Sequence, residues 1–247
     1  MNSWIWFRQS KNLIVGMCGR FSITKTPEAI RAAFNFKNLP NLPPRYNVAP
    51  TQSVAAVRLS ETGERELTQF YWGLIPHWAK DGSMASKMIN ARAETVAEKP
   101  AFREAISCRR CLIPSDGFYE WRQENGKKQA FRIGMKGGAL FGFAGLFEQW
   151  RATDDSRNWS KEEMVETVTI ITTKANEKLR PIHHRMPVIV PPEAYQRWLD
   201  PKSDLGEVHD TLATFPGENM AFYRVGSAVN NVRNDGPQVV EPLKKLA

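Results

Sequence analysis

Thr167-Val-Thr-Ile-Ile-Thr-Thr173 is seven β-branched residues in succession. Such side chains crowd a helix and suit a pleated strand, so Val165–Thr173 reads as the clearest strand in the chain. The residues upstream repeat the signal. Short strands are expected at 110–114, 117–122, 129–135 and 139–148, punctuated by Glu124-Asn-Gly-Lys127 and Gly137-Gly138, with a polar loop at 151–164. Further back, Ser53–Leu59, the turn Glu61-Thr-Gly-Glu64 and Arg65–Trp72 form a hairpin pattern. Phe21–Thr24 is a short strand, and Thr26-Pro27-Glu28 opens a helix whose apolar face is Ile30, Ala33 and Phe34. Downstream lie short helices at Pro191–Asp200 and Leu205–Leu212, a last strand at Met220–Val225 and an extended tail from Asn230. Strands dominate and helices are inserted without a βαβ rhythm. The expected fold is a single α+β domain over residues 17–243, mainly antiparallel or barrel-like sheet with short helices. Residues 1–16 form an extension and 244–247 a tail.

Three segments resist this scheme. Residues 38–52 carry four prolines and read as an irregular, rigid wall. Residues 73–92 read as a long functional loop, since Trp72, Pro76, His77 and Trp78 argue against disorder. Residues 93–105 have weak helical character.

The 247 residues, 42% hydrophobic and 24% charged, are those of an ordinary globular protein. The formal net charge is +8, and the extension contributes only Arg8 and Lys11 to it, so the excess lies in the body and suits a polyanionic partner. Three cysteines make no disulfide framework, and a reducing cytoplasm is expected. Cys108-Arg-Arg-Cys111 has redox spacing, but Arg110–Pro114 reads as a strand rather than a helix start; Cys111 is core and Cys108 incidental. No second ligand pair lies at zinc spacing, so neither metal nor cofactor is expected. No stretch approaches the ~18 apolar residues of a membrane helix. Arg8 and Lys11 split the extension's apolar residues into runs too short for a signal peptide. The extension is expected to be a mis-assigned start or a segment that is removed, and the former is preferred.

Met17-Cys18-Gly19-Arg20-Phe21 then takes on a second meaning. A chain beginning at Cys18 carries a free α-amine beside its thiol. The amine can form an imine with an aldehyde, and the thiol can close a thiazolidine ring. Both groups titrate near enough to neutrality to be partly nucleophilic. The plainer alternative makes Cys18 a small buried hydrophobe. Four other stretches are rich in polar and aromatic side chains: Arg45-Tyr-Asn-Val-Ala-Pro50, Met88-Ile-Asn-Ala-Arg-Ala-Glu-Thr95, Asp116-Gly-Phe-Tyr-Glu-Trp121 and Pro181-Ile-His-His-Arg-Met-Pro-Val188. Asn90 and Arg92 share a face if extended. Glu120, if it turns inward, is readied as a general acid by burial; if outward, it is a solvated charge. In a strand, His183 and His184 point to opposite sides, so one at most serves a site.

These stretches, with Met17–Phe21 and Trp72-Gly-Leu-Ile-Pro76, together resemble the SOS-response-associated peptidase (SRAP) family, whose members sense abasic sites and crosslink to DNA. The resemblance runs from Met17 to about Leu243. It implies that Met17 is the initiator and that mature Cys18 condenses with the ring-opened abasic sugar in single-stranded DNA, with accompanying lyase and self-peptidase chemistry. Glu120 would act as acid and base, Asn90 would hold the sugar or amine, and His183 would polarise the same centre. Arg20, Arg92 and Arg185 would grip phosphates, while Asn47, Pro50, Trp72, Trp78 and Thr172 would line the strand path. His184 stands where relatives commonly carry an acid, and Ala79 where some place a second aromatic. A monomer, associated with the nucleoid when bound to DNA, is expected. Two alternatives compete: a thiol peptidase using Cys18 and His183 on other proteins, and a non-covalent binder of single strands.

Overall fold

The computed structural model describes residues 18–153, 155 and 158–243. The extension and the tail 244–247, expected above as separate segments, lie outside the described residues. Among those described, the strands are β1 (Phe21–Ile23), β2 (Arg45–Val48), β3 (Ser53–Leu59), β4 (Arg65–Trp72), β5 (Asn90–Arg92), β6 (Arg110–Ser115), β7 (Gly117–Glu124), β8 (Lys127–Met135), β9 (Phe141–Arg151), β10 (Met164–Lys174), β11 (Arg185–Pro187), β12 (Ile189–Val190) and β13 (Met220–Arg224). The helices are α1 (Pro27–Phe34), α2 (Ala105–Cys108), α3 (Tyr195–Leu199) and α4 (Leu205–Asp210). No helix among them is long and apolar enough to cross a membrane.

The β-branched run lies in β10, and the larger sheet closes around it. One edge of β10 bonds β4 and β5, both parallel; the other bonds β9 and β11, both antiparallel. The ring β10–β4–β3–β6–β9 returns to β10, making a five-stranded barrel with β12 added on β9. Residues buried on both faces explain the continuous apolar pattern of Val168, Ile170 and Ile171. The second sheet runs β13–β8–β7–β1–β2, antiparallel throughout.

A single residue separates the sheets. The chain leaves the barrel at Ser115 and enters the second sheet at Gly117, turning at buried Asp116. That carboxylate accepts from Ser22 Oγ at 2.7 Å, the Thr24 N–H at 2.8 Å and Arg132 Nη2 at 3.0 Å. A Cβ on Gly117 would lie 2.6 Å from the Arg132 guanidinium carbon, so a larger residue there would push that side chain off Asp116. Between the sheets Phe21 packs on Trp72 and Phe143 with ring centres 5.3 and 5.7 Å apart, in the buried cluster that also holds Cys18, Phe118 and Val168.

Arg110 is a cation buried with 2% exposure. Its guanidinium donates to the carbonyls of Trp198 (2.5 Å), Ile106 (2.7 Å), Ser107 (2.7 Å) and Asp200. These carbonyls lie at the C-terminal ends of α2 and α3, where backbone acceptors lack partners within the helix. One side chain therefore ties both short helices to the barrel.

Several expectations change. The proline-rich segment contains β2, because antiparallel pairing with β1 supplies hydrogen bonds that its local sequence does not advertise. The loop at 73–92 contains a 3-10 helix, Gly82–Lys87, and ends in β5. Residues 93–105 give a 3-10 turn at Ala93–Thr95, with helix only from Ala105. The tail from Asn230 is not simply extended: 3-10 turns at Ser227–Asn230 and Pro237–Val239 fold it into a strap. Cys111 is buried on β6 and Cys108 exposed at the end of α2; neither is in a disulfide.

Candidate active site

Residues 18 and 120 are far apart in sequence, and strand register brings them together. β1 pairs with β7 at Phe21–Phe118, and the Tyr119 N–H donates to the Arg20 carbonyl at 2.9 Å. Continuing that antiparallel register backward carries residues 18–20 alongside 119–121. Strand alternation then decides which side chains point inward. Phe118 and Glu120 face the core between the sheets, while Tyr119 packs on the other side with Val225 and Val229. Glu120 is 3% exposed.

The Cys18 backbone N–H donates to Glu120 Oε1 at 2.8 Å. In this chain that nitrogen is the amide of the Met17–Cys18 bond; it marks where the amine of a chain beginning at Cys18 would lie. Burial pushes the Glu120 carboxyl up to about 8, against the smaller opposing effect of this hydrogen bond. The same burial, with Glu120 beside it, holds the Cys18 thiol well above its ordinary range. Cys18 also has φ of 44°, a left-handed conformation costing a non-glycine residue roughly 1–2 kcal/mol. Backbone strain of this kind concentrates at functional sites.

His183 approaches from the barrel. Its Nδ1 is 3.9 Å from Glu120 Oε1 and accepts the Arg185 N–H at 3.2 Å. Partial burial lowers its pKa, and the neighbouring His184 and Arg185 charges add to this. The expectation that the two histidines diverge is corrected: they lie in the bend just before β11, not in a strand, and their rings are 4.5 Å apart between centres. Asn90, on β5, pairs with Ile170 of β10 and follows Ile89, which shares the buried cluster of Cys18.

The remaining residues divide by exposure. Trp78 is 51% exposed, and Arg92 is exposed on β5. Pro50 is half-buried, and its ring carbon lies 3.9 Å from where a Cβ of Gly19 would be. Trp72 is wholly buried, donating from Nε1 to the Ile89 carbonyl at 2.9 Å, so it offers no face to a base. Thr172 is equally buried, with its Oγ1 on the Ala91 carbonyl. Arg185 is not a free phosphate ligand: it is 8% exposed and clamps Glu94 at 2.5 and 2.9 Å and the Thr172 carbonyl at 2.6 Å. Asn47 is buried and donates to the carbonyls of Val229, Asn231 and Asn234. Arg20 Nη1 donates to Asn47 Oδ1 at 2.8 Å and to the Val229 carbonyl at 2.6 Å, beside Trp121.

Sequence reasoning missed the groups that hold these residues. Glu94, inside the quoted Ala-Arg-Ala-Glu-Thr stretch, was the discoverable one. Asp235 accepts from Arg45 Nε and from the N–H groups of Tyr46 and Asn47. Nothing local in Asn234-Asp-Gly236 signals that partnership.

The architecture defines a class: an α+β protein whose two sheets meet at a buried cysteine, with that cysteine's own nitrogen on a protonatable carboxyl and a histidine beside it. The model of the SOS response associated peptidase (SRAP) family matches residues 17–232, and the chain belongs to that family. It is 42% identical over 232 residues to Abasic site processing protein YoqW of Bacillus subtilis (strain 168), covering 91% of this chain and 99% of that one. To Abasic site processing protein YedK of Escherichia coli (strain K12) it is 31% identical over 236 residues, covering 92% and 100%. A crystal structure of a protein from Bacteroides thetaiotaomicron superposes with a TM-score of 0.81 at 29% identity, covering 91% of this chain and 99% of that one.

Proposed function

We propose that this protein processes abasic sites in single-stranded DNA by covalent capture through Cys18. The observation that carries the reading is the 2.8 Å contact between the Cys18 nitrogen and the buried Glu120 carboxyl, whose proton affinity burial raises. The amine of a chain beginning at Cys18 would draw that carboxyl back down toward neutrality, where a group both gives and takes protons. The names of the relatives support the substrate, and the family match that starts at residue 17 supports Cys18 as the working terminus.

The chemistry follows from the 1,2-aminothiol. Glu120 delivers a proton to the ring oxygen of the abasic deoxyribose as the C1–O bond breaks, and its carboxylate takes up the proton of the anomeric hydroxyl, which becomes the aldehyde oxygen. The Cys18 amine adds to the aldehyde carbon, and the resulting carbinolamine loses water to give an imine. The thiol then adds across that C=N bond, its proton passing to nitrogen, and closes the thiazolidine. Amine, thiol and aldehyde are thus joined with the loss of one water. If a base instead removes a proton from sugar C2 in the imine, the 3′-phosphate departs, which is lyase chemistry. His183, held by the Arg185 N–H, orients and polarises the same centre. We assign phosphate and base contacts to Arg92 and Trp78 because both are exposed to solvent. Where residue 17 precedes the cysteine, hydrolysis of the Met17–Cys18 bond, with Glu120 as acid and base, must come first, because an acylated nitrogen forms no imine.

The thiol-peptidase alternative finds less support, since the Cys18 thiol is buried, held protonated and faced by a carboxyl. The test is denaturing electrophoresis with abasic single strands. A chain beginning at Cys18 should give a denaturant-resistant adduct, and the uncleaved 247-residue chain and Cys18→Ala should not. Equal adduct from the uncleaved form, verified by intact mass, would overturn the proposal.

A further inference from the structure

A cavity of about 370 Å³ opens next to the Pro50–Thr51 segment, walled by Thr51, Tyr71, Ser83, Ser86, Asn158 and Trp159. We infer that it receives the base of a nucleotide flanking the lesion. This rests on the abasic-site reading and adds to it a contact that the missing base cannot supply.

Its position is the first argument. Thr51 directly follows Pro50, which neighbours Gly19, and the Thr51 N–H donates to the Trp72 carbonyl at 2.8 Å. On the far wall Trp159 packs on Trp150 with ring centres 5.6 Å apart. The Trp150 indole N–H holds the carbonyl of Ala79, the residue after exposed Trp78. The cavity is thus bounded on one side by the neighbour of Pro50 and on the other by Trp159, packed on the ring that holds the neighbour of Trp78; Pro50 and Trp78 are two residues that the resemblance puts along the strand.

Its chemistry is the second. Tyr71 and Trp159 meet at 73° with centres 5.1 Å apart, so they form an aromatic corner. A planar heterocycle can stack on one ring and present its edge to the other. The hydroxyl-bearing side chains of Thr51, Ser83 and Ser86 line the same space and suit the polar edges of any base. The volume is within the ordinary range of small-ligand pockets. Exposed Lys80 precedes the 3-10 turn that forms one wall, exposed Lys87 ends it, and both are available to the adjoining phosphates.

The shape is also built into the chain. The Gly82 backbone lies so close to Trp159 that a Cβ would fall 2.4 Å from the indole, and a Cβ on Gly73 would fall 2.5 Å from the Ala85 carbonyl oxygen. Gly82 thus lets the 3-10 turn seat against Trp159, and Gly73 lets Ala85 of that turn pack against the end of β4.

The test uses a labelled single strand with one tetrahydrofuran, an abasic analogue without an aldehyde, so that binding is read without crosslinking. Replacing the neighbouring base, on the 5′ or the 3′ side, with a second tetrahydrofuran should weaken binding about tenfold for one of the two sides, as loss of one stacked base does. Ser86→Trp, which fills the cavity, and Trp159→Ala, which removes a wall, should each abolish that preference while binding the doubly abasic strand as the unaltered protein does. Should Ser86→Trp fail to fold, Trp159→Ala and the preference of the unaltered protein still decide. No side preference in the unaltered protein, or the same preference in both variants, would overturn the inference. If covalent capture fails but the preference and its loss are seen, the pocket stands without the abasic-site reading. Adduct formation with no side preference overturns the pocket and leaves covalent capture standing.

Discussion

Glu120→Gln in the full chain should flatten the pH dependence of stability. The carboxyl titrates near 8 when folded and near 4.5 when free of its surroundings, so between those values folding takes up a proton. The folded pKa is raised, so the stabilisation is complete below pH 4.5 and is lost as pH rises through 8. A gap of this size corresponds to about 5 kcal/mol; relaxation and water entry on ionisation trim it, leaving a span of ~2–5 kcal/mol. His183, with its lowered pKa, acts in the opposite direction: its effect is lost as pH falls below the ordinary histidine range. The comparison with the variant removes that contribution. Glutamine keeps an oxygen for the Cys18 N–H, so the two proteins should match near pH 5, with the variant the more stable at pH 8.5. The assay is urea denaturation at pH 5, 6.5 and 8.5, followed by circular dichroism. A difference between the proteins that stays constant within ~0.5 kcal/mol across that range would refute the assignment of a buried, proton-holding carboxyl. A chain beginning at Cys18 offers a second check, since an ammonium at the same 2.8 Å position should lower the Glu120 carboxyl and flatten the profile without mutation.

Other expectations concern separate parts of the molecule. Arg110→Met leaves four carbonyls without their donor and should cost about 3 kcal/mol or more in a denaturation experiment. Gly73 has φ of 144° and no room for a Cβ against the Ala85 carbonyl, so Gly73→Ala should lower the melting temperature by several degrees. Trp78→Ala removes a half-exposed ring and should leave stability within ~1 kcal/mol while weakening single-strand binding roughly tenfold, measured by anisotropy. Arg185→Met should destabilise the fold, because it removes the buried donor of the Thr172 carbonyl and the ion pair with the more exposed Glu94; loss of DNA affinity without loss of stability would show that Arg185 serves the strand instead.

Much was legible locally. The hairpin of β3 and β4 has the bounds that alternation and its Gly-containing turn indicate, and β10 announces itself in seven β-branched residues. The helix start at Thr26-Pro27 is equally local: Thr26 Oγ1 accepts the Ala29 N–H at 3.3 Å. These features depend on side-chain stiffness and turn chemistry, which a window of ten residues contains. The strands β2, β5, β11 and β12 are two to four residues long and owe their existence to partners distant in sequence, so no local periodicity marks them. The site follows the same division. Cys18, Asn90, Glu120 and His183 were candidates because their stretches are rich in polar and aromatic side chains and resemble one family's motifs. Whether Glu120 faces water or the core was not, because a strand's alternation gives two faces and only packing chooses between them. The β1–β7 register made that choice, burying the carboxyl beside the Cys18 nitrogen and raising its proton affinity. Packing likewise assigned Arg185, Trp72 and Thr172 to the interior, since only the assembled sheets determine how much water reaches each side chain.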